Sequence, residues 1–377
     1  MHALPSWRAE LERAAREARL AAFLREHERL DPRLATWRVV VDLTWRCGLR
    51  CPVCPPVEPG PAAADAALLA RLAAEVLPRA ADISLGCLRE PLLHPALAEA
   101  LATLVAARRA AGAPAQLVLL TSGAPLDESR TELLAHAGLD SVLVSIDTTH
   151  PETYARLRPP ARWGRTRRKL RELVRRAAGG GPRIGVQALL TRSTWPWLED
   201  SLGELADLGV SSLHLTQLTQ APPAAGREVV RATEPGFGSL VRRLERLASV
   251  ARQRSLSLSF PTHAGPAGPE PTPLFGDGQV WDEDTLAEDR PAVCVAPWFR
   301  LRIDPRGETF PCNQLWRAED SWGNLGERGF EEIVNGPRAA GLRRALARGQ
   351  EPPGGCARCP YRPRAGRGRL AMSGHCV

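Results

Sequence analysis

Hydrophobic residues follow two rhythms along this chain. Trp7, Leu11, Ala14, Ala18 and Ala22 recur at helical spacing between charged residues, so Ser6 to Arg29 is expected to form an amphipathic outer helix. From Trp37 onward, short apolar runs alternate with helical segments. Strand patterns occupy Arg38 to Leu43, Asp82 to Leu85, Gln116 to Leu120, Ser141 to Ile146, Ile184 to Leu190 and Ser212 to Leu218. Six β-then-α units in series predict an α/β fold, a parallel (β/α)6 sheet curved into a full or partial barrel, with the active site at the C-terminal ends of its strands. A helix at Phe237 to Arg254 and a strand at Leu256 to Phe260 close this region.

The pattern then changes. Thr262 to Pro273 is dense in Pro and Gly and reads as a linker. Beyond it, Phe299 to Ile303, the turn Asp304 to Gly307, and Glu308 to Pro311 predict a β-hairpin. Helices are expected at Phe330 to Val334 and Pro337 to Arg348, which makes the C-terminal unit small and α+β. The expected organisation is a helix and connector over 1–36, a barrel over 37–261, a linker over 262–293 and a second domain over 294–377.

Composition narrows the partners. Of the 377 residues, 44% are hydrophobic and 24% charged, the balance of a globular protein. No uninterrupted apolar stretch is long enough to span a bilayer, so no membrane partner is expected. The formal charge is +8, from 50 basic and 42 acidic residues, which raises nucleic acid as a partner. Lys169 is the only lysine, however, and the arginines are scattered rather than gathered in a patch. They are read as a solvated surface rather than a nucleic-acid footprint. The N-terminus has no apolar leader segment, so a cytoplasmic location is expected. In that compartment the nine cysteines point to metal binding rather than disulfides.

The first cysteine group is Cys47-Gly-Leu-Arg-Cys51-Pro-Val-Cys54, placed directly after the first strand. Three thiolates leave a coordination position open, where a structural zinc site would want a fourth ligand. Tetrahedral thiolate ligation suits zinc or an iron-sulfur cluster, and spacing alone does not separate them. The surroundings do. A CxxxCxxC loop after the first strand of a six-unit β/α chain resembles the radical S-adenosylmethionine (radical SAM) superfamily. That resemblance implies that Cys47, Cys51 and Cys54 hold a 4Fe-4S cluster whose remaining iron is chelated by SAM.

Other strand ends carry the same likeness. Gly86-Cys87-Leu88-Arg89-Glu90-Pro91 resembles the family's second-strand Gly-Gly-Glu-Pro motif, which implies that Gly86 and Glu90 contact the SAM amine. Thr121-Ser122-Gly123 is similar to its third-strand Thr-Asn-Gly, placing Ser122 at the site. Ser145-Ile146-Asp147, with Arg158 downstream, is similar to the fourth-strand segment that meets the SAM ribose and carboxylate. Two positions depart from the family pattern: Val53 stands where an aromatic residue packs near the adenine, and Cys87-Leu88-Arg89 replace a second glycine. Cys87 reads as a small core residue.

A second group lies in the C-terminal unit. Cys294 precedes the hairpin, Cys312 ends it, and Cys356-Ala-Arg-Cys359 follows the helices. Four thiolates from a hairpin and a CxxC knuckle would by chemistry alone suit structural zinc. Beside a radical SAM core the arrangement resembles the SPASM/twitch extensions, which implies that these four cysteines bind an auxiliary 4Fe-4S cluster. Ala365 and Arg369 occupy the region where a full SPASM domain places two more cysteines, so the shorter twitch type with one cluster is expected. Cys376 lies next to the C-terminus and is read as frayed. The histidines show no mutual metal-ligand spacing, and His214 is read as a core residue on the sixth strand. The tryptophans read as core and interface anchors. No dinucleotide or phosphate-loop fingerprint appears.

The implied chemistry is reductive cleavage of SAM to a 5'-deoxyadenosyl radical that abstracts hydrogen from an unactivated carbon. An external one-electron donor such as flavodoxin or ferredoxin would supply the reducing electron. An auxiliary cluster with four protein ligands suits an electron relay, which puts net oxidation (dehydrogenation) of a sugar- or cyclitol-like small molecule first. Modification of a ribosomally made peptide is the alternative. A zinc-stabilised, non-catalytic binding protein is the alternative from another class.

Overall fold

The computed structural model describes residues 37–55, 62–218, 223–229, 237–259, 294 and 296–359. The expected N-terminal helix, the Pro/Gly-rich linker, His263, His375 and Cys376 lie outside the described residues.

Strand β1 (Trp37–Val41) is followed by α1 (Ala66–Arg71), β2 (Ala80–Leu85), α2 (Leu97–Ala111), β3 (Gln116–Thr121), α3 (Glu128–His136) and β4 (Ser141–Ser145). Helices α4 (Pro151–Leu157) and α5 (Trp163–Ala177) lead to β5 (Arg183–Leu190), α6 (Leu198–Asp207), β6 (Ser212–Gln217), α7 (Phe237–Gln253) and β7 (Ser257–Ser259). Helix starts follow local chemistry: the Asp65 carboxylate accepts from Leu68 N at 2.8 Å, and Asp127 does the same for Arg130 N at 2.8 Å. Strands β1 through β7 pair in parallel in sequence order, and β7 and β1 do not meet, so the barrel is open.

The C-terminal unit continues this sheet. Strand β8 (Arg300–Ile303) pairs in parallel with β1, Arg38 opposite Arg300 and Val41 opposite Ile303. Strands β9 (Glu308–Phe310) and β10 (Gly323–Asn324) extend it antiparallel, giving a 10-stranded sheet. Helices α8 (Phe330–Val334) and α9 (Pro337–Ala347) cover this end. Its apolar side chains share one core with the barrel: Phe330 meets Trp37 edge to face at 5.6 Å, and Trp298, Leu301 and Ile303 pack in the same cluster as Val39 and Val41.

The two faces of the sheet differ in chemistry. Val39, Val41, Ile83, Leu85, Leu117, Leu119, Val142, Val144, Ile184 and Val186 face the helices in the main core. Alternate residues point to the concave face, and many are polar: Arg38, Asp82, Gln116, Ser141, Gln187, Ser212, His214 and Arg302. A parallel sheet buried on both faces would be apolar throughout. The concave side is instead built to line a polar chamber, with Val118, Leu120 and Leu143 forming a small separate apolar patch.

Candidate active site and thiol clusters

The three-cysteine loop leaves β1 and is pinned at several points by backbone hydrogen bonds. Trp45 N donates to Ala62 O at 2.9 Å, Arg50 N to Pro159 O at 2.8 Å, and Glu90 N to Arg46 O at 3.0 Å. Cys47 is exposed, while Cys51 and Cys54 are half-buried. The Cys51 thiol donates to Cys54 sulfur; this bond and burial push Cys51 up, whereas the same bond holds Cys54 down to about 7, with Arg158 and Arg89 helping. Cys47 lies close enough to Cys54 to feel its charge. The loop thus gathers three soft donors beside two cations, a set suited to a thiolate-ligated cluster.

Around it sit the other residues expected at the SAM site. Gly86 ends β2 at φ +95°, and a Cβ there would lie 2.8 Å from the Leu120 carbonyl, so only glycine fits. Glu90 is buried with both carboxylate oxygens engaged: Thr121 Oγ1 donates to Oε1 at 2.7 Å, and Ser122 donates to Oε2 from its backbone N at 2.8 Å and from its hydroxyl. Glu90 therefore ties the end of β2 to the end of β3, and Ser122 is its partner. Asp147 and Arg158, expected as separate contacts, form a buried two-pronged ion pair at 2.8 Å, and Leu189 N also donates to Asp147 at 3.0 Å. Burial opposes the charge of Arg158, but Asp147 more than offsets it. Ser145 ends β4, half-buried, on the concave face. Val53 is buried in a small apolar cluster with Leu157, Leu218, Ala225 and Val229, against Cys51 and Leu189. Cys87 is not a core residue: it is half-buried at the rim, its backbone N held by Asp42 at 3.0 Å.

His214 is buried on β6 and faces the chamber, with Nδ1 2.7 Å from Ser259 Oγ. Burial, with Arg183 nearby, lowers its pKa to about 4, so the imidazole is neutral near pH 7. Among the described residues, Gln116 Oε1, Ser141 Oγ, Gln187 Oε1 and Ser212 Oγ are buried without hydrogen-bond partners. All four belong to the concave face and give the chamber unspent polar groups.

The second set of cysteines, Cys294, Cys312, Cys356 and Cys359, is half-buried. Burial pushes Cys312 up to about 12, with Cys294 and Cys359 adding to the rise. Cys356 is raised by burial and by Cys312, Cys294 and Cys359. The four thiols are therefore near enough to feel one another's charge. Among the described residues, no three Cys, His, Asp or Glu side chains converge to hold a single metal ion. A cluster of several irons spans more than one ion and draws its ligands less closely together.

One buried pair escaped the sequence pattern. Arg302, fully buried, meets Asp42 at 2.7 Å, donates to the Leu315 carbonyl at 2.9 Å, and lies between the rings of Trp45 (5.5 Å) and Phe310 (5.1 Å). The other oxygen of Asp42 accepts from Cys87 N at 3.0 Å and Leu88 N at 2.9 Å. This network joins the loop after Cys312 to both the first cysteine loop and the end of β2. Nothing in the sequence marks it, because its partners are 260 residues apart.

Family comparison agrees with this arrangement. The radical SAM superfamily model matches residues 41–181, and SPASM, an iron-sulfur cluster-binding domain, matches residues 294–360. The chain belongs to the radical SAM superfamily, with an auxiliary iron-sulfur domain at its C-terminal end. Its cofactors are accordingly a 4Fe-4S cluster with SAM and auxiliary iron-sulfur ligation, which sets aside the zinc alternative. Among its relatives, the PqqA peptide cyclase of Streptomyces rochei is 25% identical over 335 residues, 86% of this chain and 81% of that one. A GTP 3',8-cyclase of Parasynechococcus marenigrum is 34% identical over 197 residues, 48% of this chain and about half, 55%, of the cyclase. In fold, the chain resembles Streptococcus suis SuiB bound to S-adenosylmethionine, with a TM-score of 0.63 and 15% identity, covering 90% of this chain and 78% of SuiB. SuiB has also been solved bound to precursor peptide SuiA; that structure has a TM-score of 0.60 and 16% identity, covering 87% of this chain and 71% of SuiB. Among the described residues no helix is long and apolar enough to cross a membrane.

Proposed function

We propose that this chain is a peptide-modifying radical SAM enzyme. In this assignment Cys47, Cys51 and Cys54 hold the catalytic 4Fe-4S cluster, and Val53, Gly86, Glu90, Ser122, Ser145, Asp147 and Arg158 shape the SAM site. Cys294, Cys312, Cys356 and Cys359 hold the auxiliary cluster. The observation that carries the peptide assignment is the extent of the match to the PqqA peptide cyclase, which runs through both the barrel and the auxiliary domain. The match to the GTP cyclase covers less than half of the chain. The fold of SuiB, solved with a precursor peptide, supports the same reading because such a barrel and extension can present a peptide. Dehydrogenation of a sugar-like molecule, placed first by the sequence pattern, has no comparable support.

When bound, the first cluster and SAM supply a 5'-deoxyadenosyl radical, and the second cluster supplies a one-electron acceptor. The chain's own residues do the rest. Glu90 fixes the ends of β2 and β3 against each other through Thr121 and Ser122. Arg158, held in one orientation by Asp147, keeps a positive charge beside Cys51 and Cys54. Val53 and its apolar neighbours offer a dry surface for a flat ring. Gln187, midway along β5, presents a buried polar atom on the concave face.

The test is incubation of the anaerobically reconstituted enzyme with SAM, dithionite and the short peptides encoded beside its gene. A peptide of altered mass formed together with 5'-deoxyadenosine is the expected result. SAM cleavage stimulated by GTP or a cyclitol, with every peptide unchanged, would overturn the assignment.

A further inference from the structure

Arg300 opens β8. Strands β8 and β9 are antiparallel, with Arg302 opposite Phe310 and Ile303 opposite Thr309. Strand β9 ends at Phe310 and the chain then bends through Pro311 and Cys312, which leaves Cys312 within electrostatic reach of Arg300. Alternation puts Arg300 on the face of β8 where Arg302 lies over the Phe310 ring. The electrostatics agree: Arg300 lowers the Cys312 thiol, while Cys312 and Cys294 both favour the charged guanidinium.

On the other side, the register neighbour of Arg300 in β1 is Arg38. Arg38 is neutralised by Asp82 at 2.7 Å. Arg300 makes no ion pair among the described residues; its Nε is buried without an acceptor, and its guanidinium lies 5.7 Å from the Phe299 ring. Two guanidinium groups thus share one carboxylate. Burial and repulsion from Arg38 weigh against the charge of Arg300, so the fold holds a half-buried cation whose Nε lacks an acceptor and which an anion would stabilise. Besides Asp82, which Arg38 engages, the anionic groups whose charge reaches Arg300 are the thiolates of Cys312 and Cys294.

We propose that Arg300 is a positioning residue that acts as the counter-cation of the auxiliary cluster and raises its reduction potential. This rests on the assignment of Cys294, Cys312, Cys356 and Cys359 as ligands. A thiolate-ligated cluster is anionic and becomes more so on reduction, so a fixed positive charge beside its sulfurs favours the reduced form. The role asks for a fixed positive charge, which the guanidinium supplies. A poised auxiliary cluster would accept an electron more readily from a substrate radical.

The test uses the reconstituted holoenzyme in an otherwise Cys47→Ala, Cys51→Ala, Cys54→Ala background, so that only the auxiliary cluster reports. Iron content and an EPR-monitored redox titration are measured for Arg300→Gln and Arg300→Lys. The expected result is a midpoint shifted to more negative potential in Arg300→Gln and little shifted in Arg300→Lys. Loss of auxiliary iron from Arg300→Gln alone would support the same charge role. An unshifted midpoint in Arg300→Gln would overturn the proposal, as would an equal shift, or equal loss of iron, in both variants. Failure of the ligand assignment shows separately: Cys312→Ala in the same background would leave the auxiliary signal intact.

Discussion

Replacing Arg302 with Met keeps an unbranched apolar stem but removes the partner of a fully buried carboxylate. Asp42 would be left in the interior with only the amides of Cys87 and Leu88 as partners. Solvent does not screen this pair, since the two side chains are 0% and 1% exposed. Breaking a buried pair in this way costs about 3–5 kcal/mol, and the lost bond to the Leu315 carbonyl falls within that range. The second substitution, Asp42→Asn, removes the stranded carboxylate and leaves an oxygen for both amides, so Arg302→Met with Asp42→Asn is expected to recover more than half of the loss. Urea unfolding of the anaerobic holoenzyme measures both variants. The reasoning fails if Arg302→Met lies within about 1 kcal/mol of wild type, or if the double variant is no more stable than the single one.

Gly86→Ala puts a methyl group 2.8 Å from the Leu120 carbonyl at φ +95°, so a loss of about 1–3 kcal/mol in thermal unfolding and weaker SAM binding by calorimetry are expected. Replacing Cys47, Cys51 and Cys54 with Ala is expected to halve the iron content, from about eight to about four per chain, and to abolish 5'-deoxyadenosine formation. Removing Cys312 and Cys356 is expected to spare uncoupled SAM cleavage while ending product formation, as read by chromatography of both products. His214 has a folded pKa of about 4, below its ordinary value, so the unfolded chain binds the extra proton first. Its contribution is complete above about pH 6.5 and is lost as pH falls toward 4, by up to about 3 kcal/mol; in His214→Asn that part of the pH slope should vanish from urea midpoints.

What the sequence made legible was local. The strand runs from Gln116, Ser141, Ile184 and Ser212 are visible because their apolar residues alternate or cluster over a few positions, and CxxxCxxC and CxxC sit within single loops. The hairpin was visible in its turn, yet not its place. Residues 300–303 read Arg-Leu-Arg-Ile, the alternation of any half-exposed strand, and only pairing with β1 turns the two arginines toward a buried face. Charge partners were hidden for the same reason. Asp147 and Arg158 each looked like a SAM contact, because nothing local says that the turn through α4 brings them together. Glu90 looked like an amine ligand, and its bonds to Thr121 and Ser122 exist only once β2 and β3 lie side by side.

The central claim, that a SAM-derived radical takes hydrogen from a peptide, is tested most directly by isotope transfer. The reconstituted enzyme is incubated with SAM, dithionite and a fully deuterated peptide encoded beside its gene, and 5'-deoxyadenosine is examined by mass spectrometry. Deuterium in the 5'-deoxyadenosine, together with a peptide of altered mass, is the expected result. 5'-Deoxyadenosine free of deuterium, with the peptide unchanged, would contradict it.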